Sequence, residues 1–321
     1  MQNMHIKNHS QPVEISPDAP ALVLDQEFDN MGMYGSNVGW DLEFRQMDAG
    51  RLRARAAVLA ANSMSCMRVE LNRRFHQLGM APQGGLTFGL PDPECGEFKW
   101  CGVTARGGDM LNFNLGSGFE GASAAGFSGI TLSFDQNLFL RRAASLGYQP
   151  GDLVSLNRVS TWRVPPNLGR QLRLRLGAAF QSGECQPGNP VPAATDLFHS
   201  GAAEAILEVL AGKSLSSPAT APARRQAVQR ALELINDQER LPLSVSELCR
   251  QTGVSAATLY RGFMEEVGVS PKRYLACRML EGVRQDLLFT APNSRIYRIA
   301  NRWGFWHMGQ FSADYSEQFG E

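Results

Sequence analysis

No run of 18 apolar residues occurs in the 321-residue sequence. An α-helical membrane span is therefore not expected. The first residues, MQNMHIKNHSQPVE, are polar, without an apolar stretch or cleavage site. They do not read as a secretory signal, and a cytoplasmic location is expected. No excess of either charge exists, with 31 Lys and Arg against 31 Asp and Glu. Attraction to a polyanion must then come from local placement rather than from a global field. The six cysteines contain no C-x-x-C pair, so free thiols are expected in a reducing compartment. Cys95 and Cys101 are near each other, but no histidine lies close to them in sequence.

Catalytic signatures are missing as well. The five histidines are His5, His9, His76, His199 and His307; only His76 lies within the β-rich runs, and no H-x-H or H-x-x-x-H pair occurs there. A metal centre is not expected. No G-x-S-x-G nucleophile elbow is present. Gly116-Ser117-Gly118-Phe119-Glu120-Gly121 spells a dinucleotide fingerprint. Only ASAAGFSG follows before the next apolar run, too short for the helix of a βαβ crossover. A glycine-rich sheet corner is the better account. No catalytic residue and no cofactor are expected, and the chain does not read as an enzyme.

What is present divides in two. The length suggests two domains. Residues 213–223, KSLSSPATAPA, read as an exposed linker between residues 1–212 and 224–321. From 222 to 321 there are 13 Lys/Arg and 11 Asp/Glu, a slight positive excess. Before the linker, ALVLDQEF, DLEFRQMD, LRARAAVL, SCMRVELNRRFHQLG, LTFGL, FKWCGV, MLNFNLG and GITLSF are short runs, several of them alternating. Turn residues separate them at roughly ten-residue intervals, which predicts an antiparallel barrel or sandwich over about 20–135. In DLEFRQMD, Leu42, Phe44 and Met47 lie on or near the buried face, with charges opposite. Helical spacing takes over from 136 to 212.

The last hundred residues contain a repeat. LCRQTGVSAATLYRGFMEEVG begins at Leu248, and IANRWGFWHMGQFSADYSEQFG begins at Ile299. Cys249 and Gly253 correspond to Ala300 and Gly304, and Leu259, Phe263, Val267 and Gly268 to Phe311, Tyr315, Phe319 and Gly320. The second set is displaced by one further residue, so the second turn is longer by one. Each copy has a short helix, a glycine suited to a left-handed turn, and a helix with apolar residues at i, i+4 and i+8. That is a helix-turn-helix used twice. Ser244 with Glu247 forms an S-x-x-E capping box, and Ser255 stands at the next N-cap. Asn293 or Ser294 is the expected cap of the second unit. Phe311, Tyr315 and Phe319 read as a core stripe, while Trp303, Phe305 and Trp306 flank the turn and lock the helices.

The outward residues form the candidate DNA-binding set: Ala257, Thr258, Tyr260 and Arg261 in the first unit, and His307, Met308, Gln310 and Ser312 in the second. Arg261 suits a bidentate contact to guanine or a phosphate contact, and Gln310 suits a base edge. Lys272, Arg273, Arg278 and Arg284, on the intervening helix, read as solvated or paired, or else as phosphate contacts.

The two units, the GVSPKRYL joint and WGFWHMGQFSADYSEQFG together resemble the DNA-binding region of AraC/XylS-type transcriptional regulators, over about 225–321. FRQMDAGRLRA, LTFGLP and WGFWHMGQF are similar to the ethanolamine-utilisation regulator subgroup. Family members usually continue past FGE with a Pro-containing tail, whereas this sequence stops at Glu321. The resemblance implies an α+β chain: an N-terminal cupin-like β-barrel with trailing dimerisation helices, then an all-α domain with two helix-turn-helix units. It implies paired recognition helices in adjacent major grooves and an effector site in the barrel. Phe44, Met64, Met67, Phe88, Trp100 and Phe113 are candidates for that pocket, each equally readable as core. The expected partners are double-stranded DNA, a small-molecule effector, a second copy of the chain and RNA polymerase, and no membrane. The alternative is a DNA-binding regulator whose N-terminal domain only dimerises or docks a protein, without a small ligand.

Overall fold

The computed structural model describes residues 20–31, 40–61, 64–82, 84–114, 118–148, 156, 161–181, 195, 201–211, 223–236, 243–289 and 295–321. The linker at 213–222 and the caps Asn293 and Ser294 lie outside the described residues.

Alternation in the N-terminal runs builds two antiparallel sheets. Their strands are β1 (Ala21–Phe28), β2 (Asp41–Gln46), β3 (Ala54–Ala60), β4 (Met64–Leu71), β5 (Phe75–Met80), β6 (Gly85–Pro91), β7 (Glu97–Trp100), β8 (Val103–Arg106), β9 (Asp109–Asn112), β10 (Phe119–Ala122), β11 (Phe127–Asp135) and β12 (Thr161–Arg163). One sheet runs β1-β3-β4-β11-β6-β9-β12 and the other β2-β5-β10-β7-β8. The expected closed barrel is not formed. Each sheet ends on edge strands, and no ladder joins the two among the described residues, so the interior is bounded by two facing sheets. The glycine-rich segment runs through Gly118 into β10, and the next element is β11 of the other sheet rather than the helix of a nucleotide-binding turn.

Three helices cover the outer face of the larger sheet: α1 (Gln136–Ser145), α2 (Pro166–Gln181) and α3 (Ala202–Ala211). Asp135 caps α1, its carboxylate accepting from the Leu138 amide at 2.8 Å. Leu59, Cys66, Phe88 and Leu132 from the strands share one core with Phe139, Leu176, Ile206 and Leu207 from these helices.

The C-terminal domain is helical throughout its described residues: α4 (Ala223–Asn236), α5 (Val245–Thr252), α6 (Ala256–Glu266), α7 (Pro271–Phe289), α8 (Ile296–Arg302) and α9 (Met308–Phe319). α4, α5, α6 and the first half of α7 enclose one core, with Val228, Leu248, Leu259, Phe263 and Tyr274. The second half of α7, α8 and α9 enclose another, with Leu280, Val283, Ile299, Ala300, Phe311 and Phe319. Met47, just after β2, is buried in the first of these clusters, so the sheet domain contributes a side chain to the helical domain.

Candidate nucleic-acid interface and interior cavity

Each helical unit is shaped by its turn. In the first, Ser244 Oγ accepts from the Glu247 amide at 3.1 Å and opens α5. The return half of the capping box is not made. The Glu247 carboxylate instead accepts from Arg250 and Gln251, and these bonds hold it down to about 2. Gly253 takes the left-handed conformation, φ 71°, and its amide returns to the Cys249 carbonyl at 2.9 Å. Ser255 then caps α6. In the second unit Trp303 ends α8, Gly304 has φ 91°, and the amide of Phe305 reaches the Ala300 carbonyl at 3.0 Å. The additional residue that shifts the repeat by one falls after Gly304, where 305–307 precede α9 while only 254–255 precede α6. Arg295 occupies the N-cap of α8 without a side-chain cap bond.

The aromatics before α9 have different roles. Phe305 packs on Phe311 at 5.2 Å, and Phe311, Tyr315 and Phe319 follow in successive contact. Trp303 lies over Gly282 of α7, where an added Cβ would stand 2.3 Å from its ring. Its indole donates to Asp286 at 2.8 Å, and the Arg278 guanidinium sits 5.0 Å from its ring centroid. Trp306 locks nothing; it is 71% exposed. Apolar spacing identified the stripe, but the turn conformation rotates Trp306 outward.

On α6, Ala257, Tyr260 and Arg261 are exposed and Thr258 is half-buried. Around α9, His307, Gln310 and Ser312 are exposed, while Met308 is half-buried and packs against the second core. The Gln310 amide donates to Asp314 at 2.6 Å on the same helix. The sequence reading missed an exposed cluster on α8. Arg295 and Arg298 both lie 3.4 Å from the Tyr297 hydroxyl and depress its pKa. Their three-residue spacing on a short helix was the available signal.

The cations on α7 are mostly committed elsewhere. Arg284, 7% exposed, bonds the Asp29 carbonyl at 3.1 Å and pairs with Glu321. Arg273 donates to Gln318, and Arg278 lies 4.0 Å from Glu43. Lys272 alone of the four is exposed.

A cavity of about 60 Å³ lies between the two sheets. Phe44, Met67 and Phe113 line it, with Met31, Leu42, Phe75, Gln77, Phe119, Ser123 and Thr131 among their neighbours. No charged side chain lines it among the described residues. Met64 and Phe88 face through the larger sheet to the helices, because an odd offset along a strand reverses the face. Trp100 packs behind Phe113 and Phe119, at 4.6 and 5.3 Å, without lining the space.

The smaller sheet has a second, polar face. Glu43 and Arg45 alternate with the cavity residues Leu42 and Phe44, and His76 alternates with Phe75 and Gln77. Arg45, 1% exposed, donates to the Tyr274 hydroxyl of α7, to Glu43, and to Asn236 of α4 at 2.7 Å. The same hydroxyl meets His76 Nδ1 at 2.9 Å, and His76 Nε2 meets Glu120 at 3.0 Å. Burial pushes the Tyr274 phenol well above its ordinary range. Beside it, Gln46 donates to the Gln318 carbonyl at 2.8 Å, and Gln318 donates to the Gln46 carbonyl at 2.9 Å. Thus FRQMDAGRLRA is the segment on which both helical units rest.

Three of the described cysteines have structural surroundings. Cys95 Sγ lies 3.0 Å from the Ser128 carbonyl, and burial pushes the Cys101 thiol up to about 12 and that of Cys277 to about 11.

Two helix-turn-helix units are joined by one long helix and seated on a two-sheet domain; a helix-turn-helix is a motif that can place its second helix in a DNA groove. Residues 248–321 match the family model described as a helix-turn-helix domain. The chain is 36% identical over 100 residues to a probable thc operon regulatory protein of Rhodococcus erythropolis, covering 31% of this chain and 30% of that protein. It is 33% identical over 94 residues to a XylDLEGF operon transcriptional activator of Pseudomonas putida, covering 29% of each. The matched part spans less than a third of either relative's length. Among solved structures, the AraC-like transcriptional activator CuxR aligns over 83% of this chain and 93% of that one, at 16% identity and a TM-score of 0.43.

Proposed function

We propose that the protein is a sequence-specific, DNA-binding transcriptional regulator of AraC/XylS type, modulated by a small molecule held between its two sheets. One observation carries the coupling. Strands β2 and β5 are at once a cavity wall, through Leu42, Phe44, Phe75 and Gln77, and the seat of the helical domain, through Arg45 and His76. A ligand that displaces the wall acts on the seat, and it favours whichever arrangement it binds more tightly. The matched relatives support an activator, with DNA as partner. Assembly as a homodimer, contact with RNA polymerase, a cytoplasmic location and the ethanolamine-utilisation subgroup are further parts of the proposal. No described helix is long and apolar enough to cross a membrane.

The small cavity favours a second reading, in which the sheet domain only dimerises or docks a protein. An engineered cavity that admits benzene measures about 150 Å³. A small effector therefore requires the flexible Met31 or Met67 to move. Binding of the full-length protein to genomic fragments, with and without metabolites, tests both readings. Discrete paired half-sites are expected, with occupancy that changes with one neutral ligand. Discrete sites that respond to no metabolite favour the docking reading. No discrete sites would refute DNA-sequence recognition.

A further inference from the structure

The two units expose different chemistry, although the same repeat builds both. The outer face of α6 carries Arg261, which has no hydrogen-bond or ion-pair partner among the described residues, beside Tyr260, 51% exposed. A free guanidinium on a reading helix can grip a guanine edge. The outer face of α9 carries Gly309, Gln310, Ser312, Ala313 and Ser316, and no Lys or Arg lies anywhere in that helix. Its one long amide is tied to Asp314, so reading a base would require breaking a 2.6 Å bond. It would also bring a carboxylate toward the phosphates. The free cations of this unit among the described residues are instead Arg295 at the N-cap and Arg298 inside the preceding helix, both exposed and held there by the Tyr297 hydroxyl. The third arginine there, Arg302, is committed to Asp286 at 3.2 Å. In a helix-turn-helix the first helix crosses the phosphate backbone while the second enters the groove.

We propose that the units divide the work: α6 reads base edges through Arg261, and the second unit clamps the backbone through Arg295 and Arg298 with little sequence readout. This rests on the DNA-binding reading above. It assigns phosphate contacts, which position without specifying, to the second unit.

Selection of random duplexes by the full-length protein tests it. One sharp block of base preference is expected, with a weak or featureless block about one helical turn away. Arg261→Ala should flatten the sharp block, and Gln310→Ala should leave the selected motif unchanged. The double variant Arg295→Ala/Arg298→Ala should weaken selected and scrambled duplexes by one common factor. It should also reduce the slope of log K against log salt by about 2. Two equally sharp blocks, or a second block erased by Gln310→Ala, would overturn the division. So would an unchanged salt slope in the double variant. Failure to enrich any duplex would be a different result, removing the DNA-binding reading and the division with it.

Discussion

At the scale of single residues, burial decides behaviour that charge alone does not. Glu281, on the inner face of α7, is 8% exposed and faces Arg284, Arg45, Arg278 and Glu321. Loss of hydration outweighs the three guanidinium groups and raises its pKa from 4.5 to about 7. The folded protein therefore holds this proton more tightly than the unfolded chain does. Stability from this group is present below pH 4.5 and is lost as pH rises toward 7, by at most about 3 kcal/mol. Glu281→Gln should raise the melting temperature at pH 8 and change it little at pH 4.5. Thermal unfolding across that range checks it, and equal shifts at both ends would show Glu281 already ionised in the fold. Arg261→Ala belongs to the same scale. It should weaken binding at a specific site by about 1–3 kcal/mol, read by titration against a labelled duplex.

At the scale of elements, much of the helical domain was legible because it depends on local rules. Ser244 and Ser255 occupy N-caps, Gly253 takes a left-handed turn, and Phe311 and Phe319 follow helical spacing into a core. The sheets were legible only in part. Alternation predicts which residues share a face, and Phe44, Met67 and Phe113 do meet at the cavity. It does not say which face of a strand looks inward when both are covered, and Met64 and Phe88, readable as pocket or core, lie in the core between the larger sheet and its helices. Arg45 shows the same limit. A charge opposite an apolar stripe reads as solvated, yet a second domain 229 residues away covers it. The core assignment has a direct test. Phe311 is 5% exposed between Phe305 and Tyr315, and Phe311→Ala should cost about 3–5 kcal/mol. Loss of helical signal from the second unit, with α6 still protected in hydrogen exchange, is the expected pattern.

At the scale of the whole molecule, the question is whether two domains behave as one. The seat is polar and incompletely satisfied: Arg45 Nε and Arg278 Nε are buried without a hydrogen-bond partner. Burial and the nearby Arg45 lower the pKa of Arg278. Such an interface gains specificity from its geometry but little net stability, because desolvation offsets much of the pairing. The Tyr274 hydroxyl is its centre, meeting Arg45 and His76 together. Tyr274→Phe keeps the ring packed against Phe263 and removes only that oxygen. Two buried groups of the sheet domain then lose a partner, each at a cost of about 1–3 kcal/mol in the docked state. Neither domain loses a core side chain, so the penalty falls on docking rather than on folding. Calorimetry of the parent should show one coupled transition, and the variant should show two. A ligand of the sheet cavity should then raise only the sheet-domain transition in Tyr274→Phe, but raise the coupled transition in the parent. A single unchanged transition in the variant would mean that Met47 and the Gln46–Gln318 pair hold the domains together without Tyr274. The route from cavity to reading helices would then run through the turn after β2.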